Sequence, residues 1–228
     1  MCKNEKELCY SCILFDLDGT VLNTVADCTT AINKTMDVFS LPHSTEKQVQ
    51  SYLNNGARML IKRALPETFR DDENFVDKVL SVYIEFYKEE CTKGSVLYDG
   101  IYECLKELKS KGALLGIVTN KPDVQTQIMV PHYFGDLFDY IQGNSPEVPT
   151  KPDPKRVEMA LSSLGKSKKE TIFVGDSWVD AETAKNAKIP CIGVAWGFSG
   201  RKGFEGHMPD MIVDKADEIV RIAACGFN

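Results

Sequence analysis

FDLDGTVLNT, residues 15–24, sets two acids one residue apart at the end of an apolar run and follows them at once with Gly-Thr. The run that leads into it, CILFDL (12–17), is apolar almost throughout, as a strand covered on both faces must be. Asp16 and Asp18 would repel each other there, and burying carboxylates without a partner is costly. Taken alone, the stretch also fits an Asp-Gly turn that simply closes a strand. If the acids are buried, some positive group has to meet them, and the rest of the chain must supply it.

Runs of the same kind recur at LLGIVT (114–119), DYIQG (139–143), TIFVGD (171–176), CIGVAW (191–196) and MIVD (211–214). Most start roughly 20–30 residues after the last, the spacing of βαβ units. Helical patterns lie between them. In IYECLKELKSKG (101–112), Ile101, Leu105 and Leu108 share a face and Gly112 supplies a C-terminal stop; RVEMALSSLG (156–165) repeats the design. This alternation predicts an α/β fold, a doubly wound parallel sheet of Rossmann-like topology. The interval from about residue 23 to 95 differs, with helical periodicity and no strand pattern. In DDENFVDKVLSVYIEFYKEE (71–90), Phe75, Val79, Val82 and Phe86 recur on one stripe. The expected organisation is an α/β core over residues 1–22 and 96–228, with a small helical domain over 23–95 inserted after the first strand.

The composition suits a soluble globular chain: 228 residues, 43% hydrophobic and 26% charged. A net charge of -6 without basic clusters gives no footprint for nucleic acid. No apolar run approaches the ~20 residues needed to span a bilayer, and MCKNEKELCYSC (1–12) lacks the apolar segment of a signal peptide, so no membrane partner and a cytoplasmic location are expected. The eight cysteines are too scattered for a disulfide framework and read mostly as small apolar fillers. Cys9 and Cys12 have C-x-x-C spacing, but no second pair or histidine accompanies them to suggest a metal site.

In a parallel α/β sheet, ligands bind beyond the carboxyl ends of the strands, and the informative polar residues of this chain fall there. Asp16 and Asp18 close the first run, Thr119-Asn120-Lys121 the second, and Asp176 with Asp180 the run TIFVGDSWVD; Lys151 sits in TKPDP, before a helix expected at 154–164. One such residue is commonly a helix cap, but four groups at four ends point to a site. Asp16, Asp18 and Asp176 together form an all-oxygen set suited to Mg²⁺, which would be the missing positive partner. A cation with a lysine and hydroxyl and amide donors beside it is fitted to a phosphoryl group.

DLDGT (16–20), then T-N-K, then the lysine of KPDP, then GDSWVD (175–180) resemble, in order, the four motifs of the haloacid dehalogenase (HAD) superfamily of phosphohydrolases. The resemblance spans nearly the whole chain, and the helical insertion resembles the cap domain of that superfamily's first subclass. It implies that Asp16 is a nucleophile forming an aspartyl-phosphate, and that Asp18 is the general acid and base, with its backbone carbonyl on Mg²⁺. It further implies that Thr119 donates its hydroxyl to the phosphoryl oxygens, that Asn120 supplies an amide nearby, and that Lys151 pairs with Asp16 and the phosphate. Asp176 would ligate the metal directly and Asp180 indirectly.

The stretch YLNNGARMLIKRAL (52–65) is similar to the cap loop of the phosphoglycolate phosphatase branch, with Gly56 at a helix start and Arg58 placed to meet a substrate carboxylate. YDGIYECLKELKSKG, TNKP and GVAWGFSG resemble that branch more than the sugar phosphomutase branch. The implied activity is Mg²⁺-dependent hydrolysis of a small phosphorylated metabolite, 2-phosphoglycolate foremost, by a monomer or homodimer. A β-phosphoglucomutase-like transferase, a pyrophosphatase and a non-catalytic phosphate-binding protein are the alternatives.

Overall fold

The computed structural model describes residues 8–227. The first apolar run forms β1 (Cys12–Phe15), and a short strand β2 (Leu22–Asn23) carries the chain away from it. Four helices follow, α1 (Val25–Val38), α2 (Glu46–Tyr52), α3 (Gly56–Ala64) and α4 (Glu73–Glu90). The chain returns through β3 (Val96–Leu97), which pairs antiparallel with β2, Leu22 opposite Leu97 and Asn23 opposite Val96. The two crossings are thereby held side by side as a narrow stem.

Beyond the stem the chain alternates α5 (Ile101–Ser110), β4 (Leu114–Pro122), α6 (Asp123–Phe134), β5 (Tyr140–Asn144) and α7 (Lys155–Leu164). It ends with β6 (Thr171–Gly175), α8 (Trp178–Ala187), β7 (Cys191–Val194), β8 (Met211–Val213) and α9 (Asp217–Cys225). The six long-range strands form one sheet in the order β5-β4-β1-β6-β7-β8, every neighbouring pair parallel. β1 is central because all four of its side chains are fully buried. Successive side chains point to opposite faces, so Ile13 and Phe15 join the layer containing Leu105 and Ile219, while Cys12 and Leu14 join the layer containing Val157 and Ala184. From β1 the chain winds outward through β4 on one side and, later, through β6 on the other. The switch in strand order therefore falls at β1, where Phe15 lies opposite both Ile117 and Val174.

Two local readings shift. β4 runs on to Pro122, past the expected end at 119, and keeps Thr119, Asn120 and Lys121 buried. The buried face of α4 passes through Val76, Val79, Tyr83 and Tyr87, so of the four residues expected on its inner stripe only Val79 is fully inside. The stripe is rotated because two tyrosine rings face the sheet end, stacked with centroids 5.3 Å apart, and tyrosine is buried readily when its hydroxyl finds a partner. Cys12, Cys28, Cys91, Cys104 and Cys191 are buried as small fillers and Cys9 is exposed; Cys2 and the rest of the first seven residues lie outside the described region. Among the described residues no helix is long and apolar enough to cross a membrane.

Because Leu14 is fully buried at the centre of the sheet, Leu14→Ala should lower the unfolding free energy by about 2–5 kcal/mol, through lost transfer energy and a residual cavity. Urea denaturation followed by circular dichroism measures this, and a loss under about 1 kcal/mol would contradict the central position of β1.

Candidate active site

The backbone N–H of Asp16 donates to the carbonyl of Val174 at 2.9 Å, so the sheet ladder itself fixes the residue that follows β1. The chain then turns sharply at Gly19, whose φ is +82°, and a Cβ there would fall 2.3 Å from Asp176 Oδ2. Glycine is needed at this position both for its backbone angle and for the approach of a carboxylate. Gly197 closes on Asp176 from elsewhere, at 2.2 Å between a would-be Cβ and the aspartate Cβ. The indole N–H of Trp196 ties the turn down by donating to the Thr20 carbonyl at 3.0 Å.

Within this frame Asp16, Asp176 and Asp180 bring carboxylate oxygens within 4.8 Å of one another. One ammonium serves the group: Lys151 Nζ lies 2.9 Å from Asp16 Oδ1 and 2.7 Å from Asp180 Oδ1. Asp180 spends its other oxygen on the first turn of α8, accepting from Ser177 N–H at 3.1 Å and Ser177 Oγ at 2.7 Å. Asp176 accepts from Phe198 N–H at 3.0 Å through Oδ2, while its Oδ1 is buried with no hydrogen-bond partner among the described residues. Burial pushes the Asp16 carboxyl up to about 6, with Lys151 opposing and Asp180 adding to the rise. Burial also raises Asp176 well above the usual carboxylate range, reinforced by Asp180 and Asp16. Three acids against one ammonium, all-oxygen donors and an unpartnered buried oxygen fit a hard divalent cation.

Thr119 and Asn120 reach the same place from β4. The Thr119 hydroxyl oxygen accepts from Lys121 N–H at 3.2 Å, which leaves its own proton free to donate. Asn120 is paired reciprocally with the backbone of Lys151: its Oδ1 accepts from Lys151 N–H at 2.8 Å and its Nδ2 donates to the Lys151 carbonyl at 3.0 Å. The amide thus sets the position of the lysine backbone. Arg156, fully buried on α7, donates to the Thr119 carbonyl at 3.0 Å and the Val148 carbonyl at 2.9 Å, and it also bonds Asn144 Oδ1.

Asp18 stands apart from the three clustered acids. Its Oδ1 accepts from Thr24 Oγ1 at 2.8 Å, and Lys121 Nζ lies 2.9 Å and 3.2 Å from its two oxygens. Lys121 also donates to the Tyr87 hydroxyl of α4 and sits 4.4 Å from that ring's centroid, a cation–π contact. Burial works against the charge of both lysines, but Asp18 for Lys121 and Asp16 with Asp180 for Lys151 outweigh it and keep both ammonium groups protonated. A cavity of about 50 Å³ lies between these groups, walled by Asp16, Thr119 and Lys151 on the sheet side and by Asn54, Gly56 and Tyr87 of the helical segment.

Of the residues singled out by sequence, the structure brings together Asp16, Asp18, Thr119, Asn120, Lys151, Asp176 and Asp180, with Gly56 across the cavity. Arg58 is not among them. It lies on the outer face of α3, paired with Glu73 and Asp77 of α4, with 42% of its side chain exposed. Position 58 is two residues into the helix from Gly56, which turns its side chain away from the wall that Gly56 lines. Lys121, Tyr87 and Arg156 went unassigned in the sequence. Lys121 was visible as the last residue of T-N-K, and Arg156 as a charge four residues before the buried Ala160 on one helix face.

Residues 13–194 match the family model described as haloacid dehalogenase-like hydrolase. A phosphoglycolate phosphatase of Vibrio parahaemolyticus is 31% identical over 217 residues, covering 93% of this chain and 95% of its own. Phosphoglycolate phosphatase 1 of Pseudomonas aeruginosa is 28% identical over 215 residues, covering 92% and 79%. Among solved structures, a predicted phosphoglycolate phosphatase from Haemophilus somnus superimposes with a TM-score of 0.84 at 29% identity, over 93% of this chain and 97% of that one.

The electrostatics set a sign for stability. The Asp16 carboxyl rises from 3.8 to about 6 on folding, so its contribution is fully present below the unfolded value and is lost as pH rises through about 6. Without metal, the protein should therefore lose melting temperature from this group across that window. A divalent cation binding the carboxylates should raise Tm more above about 6 than below it. Differential scanning calorimetry with and without chelator checks this, and a larger metal effect on the acid side would contradict the assignment.

Proposed function

The chain belongs to the haloacid dehalogenase-like hydrolase family, and from that premise we propose that it is a Mg²⁺-dependent phosphatase of small phosphomonoesters whose preferred substrate is 2-phosphoglycolate. The observation that carries this reading is the buried Asp16–Lys151–Asp180 arrangement, with the unpartnered Asp176 oxygen beside it, at the switch point of the sheet and opening on a small cavity. The substrate is inferred from the phosphoglycolate phosphatases to which the chain is similar along most of its length.

In the proposed mechanism an Asp16 oxygen attacks phosphorus as the bond to the leaving oxygen breaks, and Asp18 gives that oxygen a proton. Asp18, now a carboxylate, takes a proton from the water that attacks the phosphorus of the aspartyl-phosphate. Inorganic phosphate departs and Asp16 is regenerated. Lys151 and the free proton of Thr119 hold the equatorial oxygens where charge builds up, beside the cavity that both line. Asn120 acts by seating Lys151. Asp16, Asp176 and the Asp18 backbone carbonyl would hold Mg²⁺, with Asp180 supporting them through Lys151 and Ser177. When bound, the ion supplies charge neutralisation between the carboxylates and the phosphoryl oxygens.

In this reading the helical segment between residues 23 and 95 serves as a cap over the site, and the enzyme acts in the cytoplasm on a small metabolite as a monomer or homodimer.

Asp16→Asn keeps the side-chain shape but removes the nucleophile, so phosphate release should fall by at least about 10³-fold while the circular dichroism spectrum is unchanged. Near-wild-type release would end the nucleophile assignment. Chelation should abolish activity, Mg²⁺ should restore it and Ca²⁺ should not, because the larger ion accepts two oxygens of one carboxylate and would hold Asp16 out of line for attack. Equal rates with the two ions in a colorimetric phosphate assay would count against this site.

A further inference from the structure

The cavity has two cationic ends. Lys151 sits among Asp16 and Asp180, where the phosphoryl group would lie, and Lys121 sits against Asp18, where the leaving oxygen would lie. Phosphoryl transfer uses the first lysine. Nothing in that chemistry requires the second, yet its side chain is 2% exposed, and burying an ammonium is costly without a strong reason.

The surroundings of Lys121 suit an anion. Tyr87 accepts from the ammonium, and the acceptors beside its own proton are sulfurs, Met129 Sδ at 3.8 Å and the Cys28 thiol. Sulfur is a weak acceptor, so a carboxylate oxygen would take that proton in its place. Burial raises the Tyr87 phenol well above its usual range, which keeps it a donor. The first turn of α3, at Gly56 and Ala57, lines the same cavity, and no side chain caps its N–H groups. An ammonium, a phenol and a helix N-terminus therefore converge beside Asp18, from β4, α4 and α3.

We infer that Lys121 and Tyr87 form the subsite that reads a carboxylate on the leaving group of the substrate, an inference that rests on the phosphatase reading above. In a two-carbon phosphomonoester the carboxylate carbon is two bonds from the leaving oxygen. An oxygen protonated by Asp18 thus brings that carboxylate to the ammonium that Asp18 itself touches. The role looked for in Arg58 falls to Lys121, since Arg58 points away from the cavity and is held by two acids.

The test compares 2-phosphoglycolate with ethyl phosphate, which has the same carbon chain and no carboxylate. Binding is measured by calorimetry in the Asp16→Asn background with Mg²⁺ present, and turnover in the otherwise wild-type enzyme. Lys121→Met should weaken 2-phosphoglycolate roughly ten- to a hundredfold more than ethyl phosphate, as loss of a charged hydrogen bond predicts, with the turnover effect mainly in KM. Lys121→Arg should recover part of the difference. Removing Lys121 also leaves Asp18 without its buried partner, so Tyr87→Phe provides a milder second variant; it should weaken 2-phosphoglycolate selectively by a smaller factor. Equal losses on both ligands in both variants would overturn the subsite and leave Lys121 as a support for Asp18. A wild-type enzyme that hydrolyses ethyl phosphate as well as 2-phosphoglycolate would also overturn it while the phosphatase reading stands. Absence of phosphate release from every monoester would overturn the reading on which both depend.

Discussion

Three carboxylates gathered around one ammonium at the centre of the sheet are the constraint to which the rest of the molecule answers. Breaking a buried pair on one side typically costs about 3–5 kcal/mol, and here Lys151 is shared between Asp16 and Asp180 while one Asp176 oxygen has no hydrogen-bond partner among the described residues. Such a centre is tolerable only if its groups cannot relax apart. The fold prevents this by hanging each on a different rigid element: Asp16 on the end of β1, Asp176 and Asp180 on the end of β6 and the first turn of α8, and Lys151 on a loop clamped by Asn120. Glycines at 19 and 197 let backbone approach Asp176 where any side chain would collide with it. The energetic debt left in the protein alone is the reason that the centre would favour a divalent cation.

The supports behind these groups form a second layer with the same logic. Arg156 is fully buried, yet it bonds none of the clustered acids; it holds the Thr119 carbonyl, Asn144 at the end of β5 and the Val148 carbonyl beyond it, and so stiffens the end of β4. Asp180 performs two tasks with two oxygens, one on Lys151 and one on the start of α8. Both residues translate the position of a helix into the position of a reacting group. A site made in this way is as rigid as the sheet that carries it, which suits chemistry in which placement and preorganised charge do most of the work.

Most of the sheet and its centre were legible in the sequence because both follow from short-range rules. Unbroken apolar runs mark strands buried on two faces, their spacing marks the crossovers, and acids just after such runs can hardly lie anywhere but the carboxyl ends. Asp16, Asp18, Thr119 and Asp176 could be found on those grounds, whereas Lys151, in a loop before a helix, stood out through the resemblance of KPDP to a superfamily motif. The residues that escaped depend on how the helical segment sits over the sheet, and periodicity carries no information about that. The inner stripe of α4 was displaced because Tyr83 and Tyr87 count as half-polar in a pattern, although each is about 1% exposed. Arg58 was attractive because the glycine and arginine at that helix start resemble a phosphoglycolate phosphatase cap loop, but two residues of helix are enough to carry it to the outer face, where Glu73 and Asp77 hold it.

The placement of Lys121 shows why selectivity would be built where two parts of the chain meet. The half of the cavity proposed for the phosphoryl group is made by the sheet and its loops, and it would offer the same contacts to any phosphomonoester. The other half needs α4 to bring Tyr87 against Lys121 and α3 to bring Gly56 over Asn120, and those helices reach the sheet through the narrow stem of β2 and β3. A ligand that engages Lys121 and Tyr87 together bonds to sheet and helices at once. It would therefore favour the arrangement in which the helices cover the site, whereas a phosphate ester lacking an anionic arm would leave that contact to Lys121 and Tyr87 alone. Recognition of the leaving group and enclosure of the phosphoryl group would then draw on one interaction, the bond between a buried ammonium of the sheet and a phenol of the segment above it.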